Sequence, residues 1–236
     1  MSTEATQDYL KAIYALQENQ EAVATSALAA RLGVTPPSVS AMLKKLARRK
    51  LVRHTPYQPV RLTKAGARIA LEVIRHHRIL ELYLAEVLGY RWDQVHAEAD
   101  RLEHVISEEL EERLFLALGE PTRDPHGHPI PSREGRVNEF ASAPLSDLPP
   151  DLPAVIVWVN DRDPAMLRYL GDRGLVPDAE VTVLAHAPFN GPLTVKSGRA
   201  AHVLGLDLAR HIQVQRTGAG VSSVTSQSVR PNRGSP

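Results

Sequence analysis

The chain has 236 residues, 43% of them hydrophobic, which allows one large domain or two to three small ones; with no cysteine it can form neither disulfides nor thiolate metal sites. No stretch approaches the roughly 20 apolar residues of a membrane span, and MSTEATQDYLK lacks the basic and apolar regions of a secretory leader, so a cytoplasmic protein is expected. The net charge of +1 conceals a division: residues 22–71 hold ten Lys/Arg and no acid, whereas residues 72–116 hold eleven Asp/Glu against five Lys/Arg. A basic block followed by an acidic one implies two tasks, with polyanion contact in the first.

The first 70 residues read as three helices and a hairpin. Helix one spans about 3–18, with Tyr9, Ile13 and Leu16 on one face. A short second helix is capped by Thr25 or Ser26 and ends at Gly33. Thr35 then suits an N-cap with Pro36 in the first helical position, and Val39, Met42, Leu43 and Leu46 form the buried stripe. LVRHTPYQPVRLT reads as two short strands around a turn. Thr63 caps a long helix running to Leu88 and Gly89, Asp93 opens the next, and Ser107 bends or restarts it towards Leu118. Residues 121–153 carry eight prolines, the pattern of an extended linker or of a segment wrapped over the preceding domain. From Ala154 short strand-like runs predict a small β-barrel, and residues 217–236 lack any apolar pattern, so that tail is expected to be disordered.

Two helices, a glycine turn and a basic hairpin describe a winged helix-turn-helix. Its second helix would enter the major groove N-terminus first, with Thr35, Pro36, Pro37, Ser38, Ser40 and Ala41 nearest the bases. Lys44, Lys45, Arg48 and Arg49, with Arg53 and Arg61 on the wing, would serve phosphates and make binding salt-dependent. A winged helix used for protein contacts is the competing reading, disfavoured by the missing acids.

The acidic half raises a different question. In HAEADRLEHVISEELEERL, residues His96, Asp100, Glu103 and His104 fall within an arc of about 100° on a helix, beside the stripe Val95, Ala99, Leu102 and Ile106. The preceding helix offers His77 and Glu81 at i,i+4, and helix one offers Asp8. Each alone has an ordinary reading as an ion pair or a solvated first-turn carboxylate; their combination points to metal.

DYLKAIYAL, the winged helix, RHHRILE, VHAEADRLEHVISEELEERL and PHGHPIP, in this order, resemble the diphtheria toxin repressor family of metal-dependent regulators over residues 4–140. The β-rich remainder is similar to the SH3-like, FeoA-type domain of its longer members. The resemblance implies a mainly α fold with a small β domain: a winged helix-turn-helix at 1–72, a helical metal-binding and dimerisation domain at 73–140, a Pro-rich linker at 141–153 and the SH3-like barrel at 154–216. It implies two neighbouring metal sites per subunit, His77, Glu81 and His96 in one and Asp8, Asp100, Glu103 and His104 in the other. Further candidates are His128, which replaces an asparagine common in the family, and Asp161 and Asp163, for which a surface turn is the competing reading.

Iron-responsive members carry sulfur ligands where this chain has Asp8 and Asp100. Carboxylates and imidazoles suit a harder ion, so Mn2+ is the first expectation and Fe2+ the second. Lys11 stands where some manganese-sensing relatives have glutamate, which argues against a further ion there and suggests pairing with Asp8; His76 reads as structural or solvated. The resemblance also implies a homodimer, seamed by Leu110, Leu114, Phe115 and Leu118, on a palindromic double-stranded operator controlling metal-uptake genes. No enzymatic activity, membrane partner or small-molecule substrate is expected. A metallohydrolase using the same cluster is the alternative from another class, opposed by the lack of HExxH; a winged-helix scaffold with a purely structural metal is a third.

Overall fold

The computed structural model describes residues 3–17, 23–55, 58–138 and 140–217. The tail expected to be disordered lies outside them, apart from Thr217. The first unit comprises α1 (Glu4–Gln17), α2 (Thr25–Leu32), α3 (Pro36–Arg48) and a wing of β1 (Val52–Arg53) and β2 (Arg61–Leu62). Gly33 closes α2 at φ +63°, the left-handed conformation that glycine adopts without steric cost. The expected side-chain cap on α2 is missing: Ala24 stands at the N-cap and the helix begins at Thr25. Thr35 does cap α3, accepting from the Ser38 N–H at 3.4 Å. Leu10, Ile13, Leu28, Val39, Leu43 and Leu46 fill the shared core.

α4 (Lys64–Glu86) is the spine of the molecule. Ala70 belongs to the winged-helix core, while Leu80 and Leu84 pack with Val95 and Ala99 about three to four turns further on. Thr63 caps the helix through Gly66 N–H at 3.1 Å and donates to the carbonyls of Lys50 and Leu51. A Cβ on Gly66 would stand 2.0 Å from the Leu51 oxygen, so only glycine lets the wing lie against the start of α4.

α5 (Val95–Leu102) and α6 (Glu108–Ala117) are separate helices, and the restart at Ser107 is real: its hydroxyl accepts from Leu110 N–H at 3.2 Å. Asp93 does not open α5. Its carboxylate accepts from Arg91 at 3.0 Å and from Arg168 at 3.1 Å, tying the helical domain to the β unit. The proline-rich segment divides in two. Residues 121–131 wrap α4, with Arg75 donating to the Pro131 carbonyl at 2.8 Å and Arg78 to that of Pro129.

Residues 141–153, expected as linker, belong to the β unit instead. β3 (Ala143–Pro144) pairs with the last strand, and Leu145 and Leu148 are buried in the β core. Two leucines spaced to reach one core outweigh the prolines around them. The unit continues with β4 (Pro153–Val159), α7 (Pro164–Gly171), β5 (Glu180–His186), β6 (Leu193–Ser197), β7 (Ala200–Leu204), α8 (Leu206–Arg210) and β8 (Ile212–Arg216). Its antiparallel sheet has the order β3-β8-β4-β5-β6-β7. No helix among the described residues is long and apolar enough to cross a membrane.

Candidate metal centre

Five segments converge beside α4. His77 and Glu81 project from one face of α4, as their i,i+4 spacing requires, and both are buried. His96 and Asp100 come from α5, Asp8 and Lys11 from α1, and Asp161 from the loop between β4 and α7. α5 ends at Leu102, and Glu103 caps it in helical dihedrals with its N–H still bonded to the Ala99 carbonyl at 2.9 Å. Glu103 turns inwards to His77 and Lys11, and His104 turns towards α1.

Around the first group, His77 Nε2 lies 2.9 Å from Glu81 Oε1 and 3.0 Å from His96 Nδ1. His96 Nδ1 is 3.1 Å from the same Glu81 oxygen and 3.8 Å from Asp161 Oδ2. These spacings suit atoms about 2.1 Å from one octahedral cation. In the second group Asp8 Oδ1 is 2.9 Å from His104 Nε2, which lies 3.4 Å from Glu103 Oε1. His104 Nδ1 donates to Gln7 Oε1 at 2.9 Å, which fixes the tautomer and leaves Nε2 free to act as a ligand.

The electrostatics are those of a site built for positive charge. Burial opposes an imidazolium at His77, yet the Glu81 carboxylate and the hydrogen bonds that the ring donates to Glu103 and Glu81 push it up to about 10. Burial works to raise Glu81, but His77 and the neighbouring imidazoles hold it well below the usual carboxylate range. Burial lifts Asp8 above its ordinary value. Glu81 Oε2 and His126 Nδ1 are buried, 3.6 Å apart, and neither has a hydrogen-bond partner. Unsatisfied polar atoms facing each other in a protein interior are costly unless something else fills the gap. The residues present therefore fit a divalent cation.

The geometry departs from expectation at several positions. Asp100 does not join Asp8 and His104; its Oδ1 takes Lys11 Nζ at 3.0 Å and lies 3.3 Å from His77 Nδ1. Lys11 accordingly pairs with Asp100 and Glu103 rather than with Asp8. Asp163 is no part of the centre: its Oδ1 caps α7, accepting from Ala165 and Met166 N–H groups at 2.8 and 3.3 Å. His128 sits at the rim, 3.3 Å from Asp124 Oδ2 and 3.9 Å from Asp161 Oδ2. His76 is buried, and its Nδ1 donates to the Glu103 carbonyl at 3.1 Å, bracing that turn.

Sequence reasoning missed His126 and Asp124. Asp124 Oδ1 accepts the N–H groups of His126 and His128 at 2.8 and 3.0 Å, organising the PHGHPIP turn. His126 Nε2 donates to the Trp92 carbonyl at 2.8 Å, which aims Nδ1 at Glu81. A signal existed, since His126 is the first histidine of the quoted motif. Gly127 fixes the turn's place: at φ +91°, its Cβ would stand 2.1 Å from the Val157 carbonyl on β4.

In the first unit, Thr35, Pro36, Pro37, Ser38, Ala41, Lys44, Lys45, Arg48 and Arg49 are exposed along α3, and Ser40 is half-buried. Arg53 and Arg61 are exposed on the wing. Thr35 spends its hydroxyl on the cap and on Ser38 Oγ at 2.9 Å, which narrows its part in base reading. Arg49 also reaches back to Thr6 Oγ1 at 3.4 Å, linking α3 to α1.

Residues 1–60 match the N-terminal DNA-binding domain of the iron-dependent repressors, residues 63–132 their metal-binding and dimerisation domain, and residues 143–216 the FeoA domain. The iron-dependent repressor IdeR of Mycobacterium tuberculosis is 33% identical over 225 residues, covering 90% of this chain and 97% of its own. This chain belongs to the iron-dependent repressor family. The diphtheria toxin repressor of Corynebacterium glutamicum is 31% identical over 223 residues, covering 90% and 96%. Among solved structures, a manganese-dependent transcriptional repressor in complex with manganese is 40% identical with a TM-score of 0.85, covering 90% of this chain and all of that one. ScaR with bound Cd2+ is 28% identical with a TM-score of 0.79, covering 90% and 99%. Members of the family are metal-dependent, DNA-binding transcriptional repressors rather than enzymes, which disfavours the hydrolase reading.

Proposed function

We propose that this chain is a Mn2+-activated, homodimeric repressor of metal-uptake genes, with Fe2+ the second choice of activating ion. The observation that carries the reading is the donor set: carboxylates and imidazoles from five segments, with no sulfur among them. Such donors favour Mn2+ over softer ions by geometry and supply rather than by intrinsic affinity. Support among solved structures comes from the repressor described in complex with manganese.

Two ions per chain are proposed. His77, Glu81, His96 and Asp161 hold one, and Asp8, Glu103 and His104 the other, with Asp100 beside the first through His77 and His96 and within 4.8 Å of Glu103 from the second. When bound, each ion supplies positive charge that removes the repulsion between carboxylates brought together by different helices. Asp8 is the informative member, because it belongs to α1, whose Leu10 and Ile13 lie in the winged-helix core. His104 and Glu103 belong to the helical domain. Drawing Asp8 to them fixes the DNA-reading unit against that domain and raises the population of the arrangement that fits the operator.

Dimerisation through α6 is proposed from its exposed Leu110 and Leu116, with Val105 just before it. A two-fold dimer presents two copies of α3 and matches a palindromic operator. The test is fluorescence anisotropy of a labelled duplex from a manganese-transporter promoter of the source organism. Chelator-treated protein is titrated with Mn2+, anaerobic Fe2+ and Zn2+, beside Asp8→Ala. Tight binding that appears with micromolar Mn2+ and is lost in the variant is expected. Equal operator affinity in chelator and in Mn2+ would exclude metal-gated repression.

A further inference from the structure

Lys11 is the unusual member of the centre. It lies one turn after Asp8 on α1, and its side chain is 21% exposed. Its Nζ reaches Asp100 Oδ1 at 3.0 Å, Glu103 at 3.0 and 2.7 Å, and His77 Nδ1 at 3.1 Å. An ammonium has three protons and no lone pair, and the Asp100 and Glu103 oxygens alone offer it three acceptors. The atoms around it are themselves a metal-ligand arrangement: His77, Asp100 and Glu103 offer donor atoms within 4.8 Å of one another. The place between the two proposed ions is thus already filled by a cation tethered to the chain.

Charge counting gives the same answer. Five carboxylates, Asp8, Glu81, Asp100, Glu103 and Asp161, meet around the two groups. Two divalent ions and one ammonium neutralise five ionised carboxylates, whereas a third divalent ion beside the ammonium would leave two excess positive charges.

We propose that Lys11 is a resident cation of the metal centre that limits it to two divalent ions per chain. This rests on the two-site reading above and adds what sets its capacity. Removing the ammonium frees Asp100 and Glu103 for a further ion, and glutamate at position 11 would add a ligand there.

The experiment is equilibrium dialysis of the full chain against MnCl2, with bound manganese counted by mass spectrometry. Wild type is compared with Lys11→Glu, Lys11→Met and Lys11→Gln, and circular-dichroism melts identify which variants fold. Two ions in the wild type and three in the folded variants are expected. Three ions in the wild type, or no gain in any folded variant, would overturn the role of Lys11. Wild-type protein that binds no Mn2+ would instead remove the two-site reading on which it rests.

Discussion

The winged-helix unit and the helical domain solve the packing problem in opposite ways. The first buries Leu10, Ile13, Leu28, Leu43 and Leu46 in one apolar core. In the second, the clustered buried apolar residues among the described ones are Leu80, Leu84, Val95 and Ala99. Yet of the ten buried polar or charged residues among the described ones, all but Thr6 lie between Arg75 and His126. One region is held by area removed from water, which micromolar metal does not change. The other is held by charges that need partners, and so can respond to an ion. The difference teaches where regulation can reside: a marginal, charge-filled element between two stable ones is the part whose order a ligand can change.

The comparison can be broken most severely in the apolar core. Leu43→Ala should cost about 2–5 kcal/mol in denaturant melts, and by the same amount with or without Mn2+. A metal-dependent cost would show that the two regions are not separate. In the charged centre, Glu103→Ala should abolish most of the coupling between Mn2+ and operator, about 5- to 150-fold in affinity by anisotropy, while leaving binding in chelator unchanged. Gly127→Ala should cost about 1–3 kcal/mol by forcing the PHGHPIP turn off β4. It should also weaken Mn2+ binding, because the same turn aims His126 at Glu81; calorimetry checks both. Gln7→Ala should reduce Mn2+ affinity about tenfold by releasing the His104 ring.

The pH dependence sharpens the contrast. His77 is raised from 6.5 to about 10 in the metal-free chain. Its contribution to metal-free stability is complete below pH 6.5 and is lost as pH rises through about 10. A ring that ligates an ion must shed that proton, so Mn2+ affinity runs the other way, rising about tenfold per pH unit for one proton released. Calorimetry between pH 6 and 8 in buffers of different ionisation enthalpy would count the protons. A pH-independent affinity would show that His77 is not a ligand.

What the sequence made legible follows from range. Thr35, Thr63 and Ser107 cap their helices as their local patterns require, because a cap depends on three or four neighbouring residues. The i,i+4 pair His77 and Glu81 was readable for the same reason. Asp93 looked like a helix start and is instead bound to Arg168, 75 residues away. Proline content suggested a linker over 141–153, because pairing with β8 cannot be read from the segment itself. His126 and Lys11 were the hardest. Their chemistry depends on which side chains from α4, α5 and the Glu103 turn come to meet them, and several ordinary partners were open to each.

The central claim is that metal and DNA are linked through α1. Its most direct test is Mn2+ affinity measured by calorimetry on the full chain, free and saturated with operator duplex. Linkage requires the operator to tighten Mn2+ binding by the same factor as Mn2+ tightens operator binding. That common factor should fall towards one in Asp8→Ala. Mn2+ affinity indifferent to the operator, in a protein that still binds both, would contradict the account.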